Sequence, residues 1–189
     1  MAIALLDRSK RKFEHLGKFQ DFEDSVMREL DSLSKLTDDV AIVVVGHLFI
    51  EQKCVDILSA FFNYENVRTR LERAGYSQLV TLLRLSNLCN EEILQSLDFL
   101  GTLRNKFAHS IVSLSLLDRK APEKDNKLLD TFNALCKGFG VREGAARERL
   151  IDFMKRIRVG LRRTELLALE INKYINKDEF IDSLEPIKV

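Results

Sequence analysis

The most apolar segment of the chain, residues 40–62, most constrains how it can fold. It follows the sequence Thr-Asp-Asp at residues 37–39, which is typical of a helix N-cap. Residues 42–45 have β-strand propensity, but the apolar pattern continues through Phe61, far beyond strand length. We therefore predict a helix that is apolar nearly all round and lies at the centre of a helical bundle. Gly46 within it would let a neighbouring helix approach closely.

Apolar residues recur at intervals of three and four along most of the remaining chain, which predicts amphipathic helices. The predicted helices cover residues 13–35, 67–74, 77–88, 90–109, 127–137 and 143–176, with a loop at 111–125 that could hold a short extended piece. We expect Gly75 to follow the end of one helix and Ser77 to cap the next. We predict one all-α domain over residues 1–189, with a core at 18–176 and a basic N-terminal segment at 1–17.

The composition excludes several classes of protein. With a formal net charge of +1, any nucleic-acid surface has to be a local patch. The three cysteines, Cys54, Cys89 and Cys136, have neither metal-ligand nor disulfide spacing, and free thiols fit a reducing compartment. The start lacks a signal-peptide pattern, and the longest apolar run is too short to span a bilayer. We therefore expect a soluble, cytoplasmic protein without a membrane partner.

The sequence Arg-Asn-Lys-Phe-Ala-His at residues 104–109 is the most concentrated group of chemically useful side chains. On a helix, Asn105 and His109 share a face, and Arg104 lies about 140° around the axis from His109. Histidine side chains titrate near neutral pH, so one turn combines an acid–base group, an amide and a fixed cation. In a purely structural alternative, Arg104 and Asn105 bond loop carbonyls and His109 caps the helix C-terminus.

Two other polar residues, His47 and Glu51, lie four apart in the apolar segment. We expect His47 to be a satisfied core or interface histidine in preference to a ligand. Glu51 is expected to pair with an arginine, Arg104 being one candidate, in preference to a catalytic role. The chain has no phosphate-binding glycine loop and no zinc pattern, and three histidines limit any metal site. We predict neither a metal nor a cofactor.

A basic strip lies in the last predicted helix, where residues 142–163 contain eight basic and three acidic side chains. The candidates for binding RNA or another phosphate backbone are Arg142, Arg147, Arg149, Lys155 and Arg156. The alternative is a solvated helix face of mixed charge. The one aromatic residue in the strip, Phe153, gives little support for base stacking.

The sequence at residues 104–109 fits the signature of the HEPN superfamily, an arginine, then four to six residues, then a histidine, with a polar residue after the arginine. The preceding helical segment is also similar, through residues 46–51 and then Leu58 and Phe61. A similar string occurs in the mannitol operon repressor family, a structural relative of comparable length. The resemblance spans about residues 40–109 and a helical tail. It implies a HEPN-like or mannitol operon repressor-like helical bundle with a long C-terminal helix.

The resemblance to HEPN proteins implies a metal-independent endoribonuclease of the toxin or phage-defence type. His109 would then be the acid–base group for attack of the RNA 2′-hydroxyl on its own phosphodiester. Arg104 would stabilise charge on the phosphate, and Asn105 would orient His109 or bind phosphate, with Glu51 and Lys106 in support. The same resemblance implies a homodimer that joins two copies of the site, and a cognate antitoxin or regulatory protein as partner.

Two other functions fit the same resemblance. The first is a non-enzymatic transcriptional regulator resembling the mannitol operon repressor. Since no helix-turn-helix is evident, such a regulator would act through protein contacts. The second is a nucleotide-binding interaction module.

Overall fold

The structure, a computed structural model, describes residue 28 and residues 30–109, 114–117 and 126–175. These residues form six α-helices: α1 (Asp39–Phe62), α2 (Val67–Glu72), α3 (Tyr76–Ser86), α4 (Glu91–His109), α5 (Asn126–Gly138) and α6 (Ala146–Ile175). Two short 3-10 helices cover Asp31–Lys35 and Leu114–Leu117. No strand occurs in these ranges, so the prediction of an all-α bundle with a long C-terminal helix is confirmed.

Helix α1 is the central element of the bundle. It begins where the Asp38 side chain accepts a hydrogen bond of 2.9 Å from the Val40 backbone N–H, as its N-cap sequence predicts. It ends at Asn63, which has a left-handed φ of 37°. Its largest contact is with α6, and it also touches α2, α3 and α4. The apolar residues around α1 are thus buried by neighbours on several sides.

Two features of the sequence bring α1 and α6 together. A Cβ atom added to Gly46 would lie 2.3 Å from Met154 Sδ, so the close approach expected at this glycine is confirmed. Nearby, Lys53 is 7% exposed, and its Nζ lies 2.8 Å from Asp56 and 3.0 Å from Glu165 on α6. The sequence analysis did not anticipate this buried ion pair, which joins residues more than 100 positions apart.

The boundary between α2 and α3 differs from the prediction. Gly75 does not end a helix but precedes α3, with an extended backbone (φ −71°, ψ 153°). Its N–H donates to Gln78 Oε1 at 2.9 Å, and its carbonyl accepts from the Gln78 N–H at the same distance. This reciprocal pair makes Gly75 the N-cap, so α3 begins at Tyr76 and Ser77 is not its cap.

Other boundaries shift by a few residues. Helix α6 begins at Ala146, three positions after its predicted start, and ends at Ile175. The described end of the helix predicted at residues 13–35 is 3-10 rather than α-helical. The rest of that helix, the basic segment at 1–17 and most of the predicted loop at 111–125 lie outside the described residues. Within the described part of the chain, no helix has the length and apolar character needed to cross a bilayer.

An aromatic cluster holds α4 in place. The ring of Phe99 stacks on Phe132 of α5 with centroids 5.6 Å apart, and it meets Phe153 of α6 edge-on at 5.9 Å. All three rings are almost fully buried. Stacked and edge-on aromatic contacts therefore pack the middle of α4 against α5 and α6.

Candidate functional site

The sequence at residues 104–109 forms the last turns of α4 and is helical to its final residue. Leu103 and Phe107 are buried on the face that meets the core. Arg104, Asn105 and His109 are exposed, and Lys106 is partly exposed. The buried pair therefore anchors a turn whose predicted catalytic side chains face solvent.

Among the contacts of the described residues, one hydrogen bond joins two polar side chains of this turn. Arg104 Nη1 donates to Asn105 Oδ1 over 3.2 Å. Asn105 therefore orients the guanidinium in this structure. His109 forms the end of α4, where the helix dipole favours a cation.

Arg104 also acts electrostatically on α1, across the helix interface. Its charge, second to burial, lowers the pKa of His47 to about 4. Burial raises the pKa of Glu51, and the Arg104 charge opposes that shift. The pairing of Glu51 with Arg104 suggested by the sequence does not occur as an ion pair among the described contacts. Arg104 and Glu51 are brought to the same region of the bundle.

His47 is buried, as expected, but it is not fully satisfied. The residue is 5% exposed, and its Nε2 atom has no hydrogen-bond partner. Its Nδ1 atom lies 3.7 Å from Glu51 Oε2, and its ring lies 4.2 Å from the ring of Tyr76. With a pKa of about 4, the imidazole is neutral at pH 7, so the contact with Glu51 is not an ion pair.

Glu51 also lines a surface groove of about 320 Å³ between α1, α2 and α3. The groove walls include Leu48, Val55, Leu71 and Leu79. The candidate site therefore adjoins a partly apolar groove through Glu51.

The residues of the predicted basic strip contact two different parts of the protein. Two of them contact the segment that precedes α1: Arg147 Nη1 donates to the Thr37 carbonyl at 3.1 Å, and Lys155 pairs with Asp31. These two cations thus hold α6 against the segment that precedes α1.

The other side of the strip faces α5 and the turn before α6. Arg149 donates to Asn133 Oδ1 at 2.6 Å, and its guanidinium lies 4.9 Å from the centroid of the Phe132 ring. Arg156 bonds Asp152 at 3.1 Å and the Phe139 carbonyl at 2.8 Å. A groove of about 470 Å³ here is lined by Arg142, Arg149 and Arg156 together with Glu143, Glu148 and Asp152.

These contacts favour the mixed-charge alternative for most of the strip. Four of the five predicted phosphate-binding residues already bond groups of the protein itself, and three carboxylates accompany three arginines in the groove. Arg142 is exposed and is the best placed of the five to meet a ligand. Phosphate binding by the strip stays a prediction.

The buried thiols are poorly suited to act as nucleophiles. Cys54, Cys89 and Cys136 are all free and buried, and burial raises the pKa of the Cys89 and Cys136 thiols to about 11. In the residues that the structure describes, no three histidine, cysteine or acidic side chains form a group that could hold a metal ion.

Comparison of this chain with protein-family models, with curated proteins and with solved structures finds no match.

Proposed function

We propose that this protein is a metal-independent endoribonuclease of the toxin or defence type, acting in the cytoplasm through Arg104, Asn105 and His109. The observation that carries the proposal is the last turn of α4, which exposes an imidazole and a guanidinium five residues apart on a buried anchor. Both groups are exposed, so solvent has access to each of them without any rearrangement of the core.

The proposed reaction is transesterification within RNA. The His109 imidazole accepts the proton of a 2′-hydroxyl, whose oxygen attacks the adjacent phosphorus. The bond from phosphorus to the 5′-oxygen breaks, which gives a 2′,3′-cyclic phosphate and a 5′-hydroxyl that takes up a proton. Arg104 stabilises the charge that develops on the non-bridging oxygens. Asn105 holds the guanidinium, as its 3.2 Å hydrogen bond with Arg104 suggests.

One imidazole cannot readily serve as base and acid in the same step, so we propose a homodimer in which two copies of the α4 turn converge. The His109 of one copy would then remove the 2′-hydroxyl proton while the other protonates the leaving oxygen. Glu51 and Lys106 support the site, Glu51 through its electrostatic interaction with Arg104. A cognate antitoxin or regulatory protein would be the natural partner of such an enzyme.

The proposal is tested by incubating RNA with the purified protein in EDTA. We expect cleavage by the wild type, and a loss of roughly 100-fold or more in rate for His109→Ala and for Arg104→Ala. Arg84→Ala is the matched control, since Arg84 is an exposed arginine whose guanidinium bonds Asp98 of α4. Circular dichroism would verify the fold of each variant. A wild type that leaves RNA intact, or variants that cleave it normally, would reject the nuclease.

A non-enzymatic regulator that acts through protein contacts is the second candidate. Exposed apolar side chains favour it, with Leu48 55% and Leu85 77% accessible. In that case Leu85→Ser would weaken capture of a partner, while His109→Ala would leave partner binding unchanged. For a nuclease we expect the reverse: His109→Ala abolishes RNA cleavage, and Leu85→Ser leaves it unchanged.

A further inference from the structure

The proposed mechanism does not use His47, although this residue lies beside the candidate site. It is buried on α1, next to Glu51, and both residues experience the charge of Arg104. Its Nε2 atom is buried without a hydrogen-bond partner. Because buried polar atoms are nearly always paired, an unpaired one calls for a reason.

The position of the His47 ring is fixed by Tyr76 of α3. The two rings are 4.2 Å apart at an angle of 50°, and the Tyr76 hydroxyl donates to the Leu97 carbonyl of α4 over 2.9 Å. Gly101 lets the tyrosine ring lie directly on α4, since a Cβ at that position would be 3.0 Å from Tyr76 Cε1. Helix α4 thus fixes the Tyr76 ring, which in turn packs against the imidazole.

The surroundings of His47 also select its tautomer. The neutral ring carries one proton, on Nδ1 or on Nε2. A proton on Nε2 would bury a donor with no acceptor, whereas Nδ1 lies 3.7 Å from the Glu51 carboxylate. The Nδ1–H tautomer is therefore favoured, and its N–H dipole points toward Glu51. At 3.7 Å this is a dipole–charge interaction, longer than a hydrogen bond.

We propose that His47 is a positioning residue of the candidate site: its Nδ1–H orients the Glu51 carboxylate, and Glu51 in turn directs the Arg104 guanidinium toward the bound phosphodiester. This inference depends on the ribonuclease proposed above. Glu51 is half-buried on the same helix face as His47, and the Arg104 charge acts on its carboxyl group. Arg104 is also restrained by the side chain of its own neighbour, Asn105.

Three substitutions separate a positioning role from a packing role. His47→Asn keeps an N–H near the position of Nδ1, His47→Gln places its amide near Nε2, and His47→Leu has neither. For RNA cleavage we expect kcat/KM to fall at least about 10-fold in the Gln and Leu variants, because a displaced Arg104 loses its contacts with the phosphodiester. The Asn variant should stay within about 3-fold of wild type. If Asn is no better than Gln, the proposal is wrong.

A second measurement does not need enzymatic activity. NMR titration of the Glu51 carboxyl should give a higher pKa in His47→Leu and His47→Gln, because the ionised form loses the Nδ1–H dipole, and a pKa near that of wild type in His47→Asn. Identical Glu51 titrations in all variants would overturn the proposal. Should wild type fail to cleave RNA, the proposed function fails, and these titrations still decide whether His47 acts on Glu51.

If the variants do not fold, the proposal can still be tested on the wild-type protein. The two nitrogen chemical shifts of His47 report its tautomer directly. A proton on Nδ1 supports the proposal, and a proton on Nε2 rejects it.

Discussion

At the level of single residues, His47 links the stability of the protein to pH. Its pKa falls from 6.5 to about 4 on folding, because burial and the Arg104 charge both disfavour the protonated ring. The unfolded chain therefore binds more protons between these values, so the stabilising contribution is complete above about pH 6.5 and is lost as the pH falls toward 4. After a reduction for solvent screening near Glu51, we expect the free energy of unfolding to fall by about 2 kcal/mol over this pH range. Urea unfolding at pH 7, 5.5 and 4.5 measures this change.

The control for this prediction is His47→Asn over the same pH range, because this variant should leave the Glu51 pKa near that of wild type. Glu51 titrates with the opposite sign, since its raised pKa favours the folded state at low pH. The informative quantity is thus the difference in free energy of unfolding between wild type and variant. That difference should shrink as the pH falls. A difference that stays constant from pH 7 to 4.5 would contradict the assignment.

The sequence could predict which side of the α4 turn faces solvent, but not the surroundings of His47. The spacing of Leu103 and Phe107 already places Arg104 and His109 on other faces of the helix. The unpaired nitrogen of His47 depends on Tyr76, which the turn before α3 brings against α1. No local pattern within residues 40–62 contains that information.

At the level of helices, Lys53 makes a buried polar contact between α1 and α6. We expect Lys53→Met to lower the free energy of unfolding by about 2 kcal/mol. The loss is smaller than for an isolated buried pair, because both carboxylates still have an arginine partner. Asp56 remains paired with Arg68 at 3.0 Å, and Glu165 remains paired with Arg162. Urea denaturation measures the effect, with Gln52→Met at an exposed neighbouring position as control.

The double variant Lys53→Met with Glu165→Leu tests whether the buried pair causes this loss. Removal of both charges leaves no unpaired carboxylate on α6, so the double variant should lose less than the sum of the two single variants. Strict additivity would show that Lys53 contributes to stability independently of Glu165, for example through its contact with Asp56.

Gly46 gives a second test of the interface between α1 and α6. Alanine normally favours a helix over glycine by about 1 kcal/mol. Here its Cβ would lie 2.3 Å from Met154 Sδ and 3.3 Å from Leu33 Cδ1. We expect Gly46→Ala to destabilise the protein by about 1–2 kcal/mol net, because Met154 is fully buried and has to move. Thermal unfolding shows whether the variant is less stable than wild type. A stabilised variant would show that Met154 can move aside without loss of packing.

The helices themselves were largely predictable, because most have an apolar periodicity, and α1 could be predicted from the length of its apolar segment. The error at Gly75 arose because a glycine between two helices suits either a C-terminal stop or an N-cap. The reciprocal bonds with Gln78 decide between them. The pairing of Lys53 with Glu165 could not be predicted, since it depends on how α6 packs on α1 over 112 positions.

At the level of the whole molecule, the near balance of charge leaves only local surfaces to attract RNA. The formal net charge is +1, and four of the five strip cations bond the protein's own groups. We therefore expect the α4 turn to supply most phosphate contacts. The slope of log affinity against log salt for single-stranded RNA is about −0.7 per contact, so Arg104 in two copies would give about −1.4.

This slope can be measured with the His109→Ala variant, in which RNA should not be cleaved during titration. Adding Arg104→Ala should bring the slope toward zero, whereas adding Arg142→Ala should leave it unchanged. If all five strip residues bound phosphate in one copy, the slope would approach about −3.5, and Arg142→Ala would reduce it by about 0.7. A reduced slope in Arg142→Ala would show that RNA binds along the basic strip. A slope that depends on Arg104 alone would show that RNA binds at the end of α4, where one exposed turn then provides both the binding and the catalytic groups.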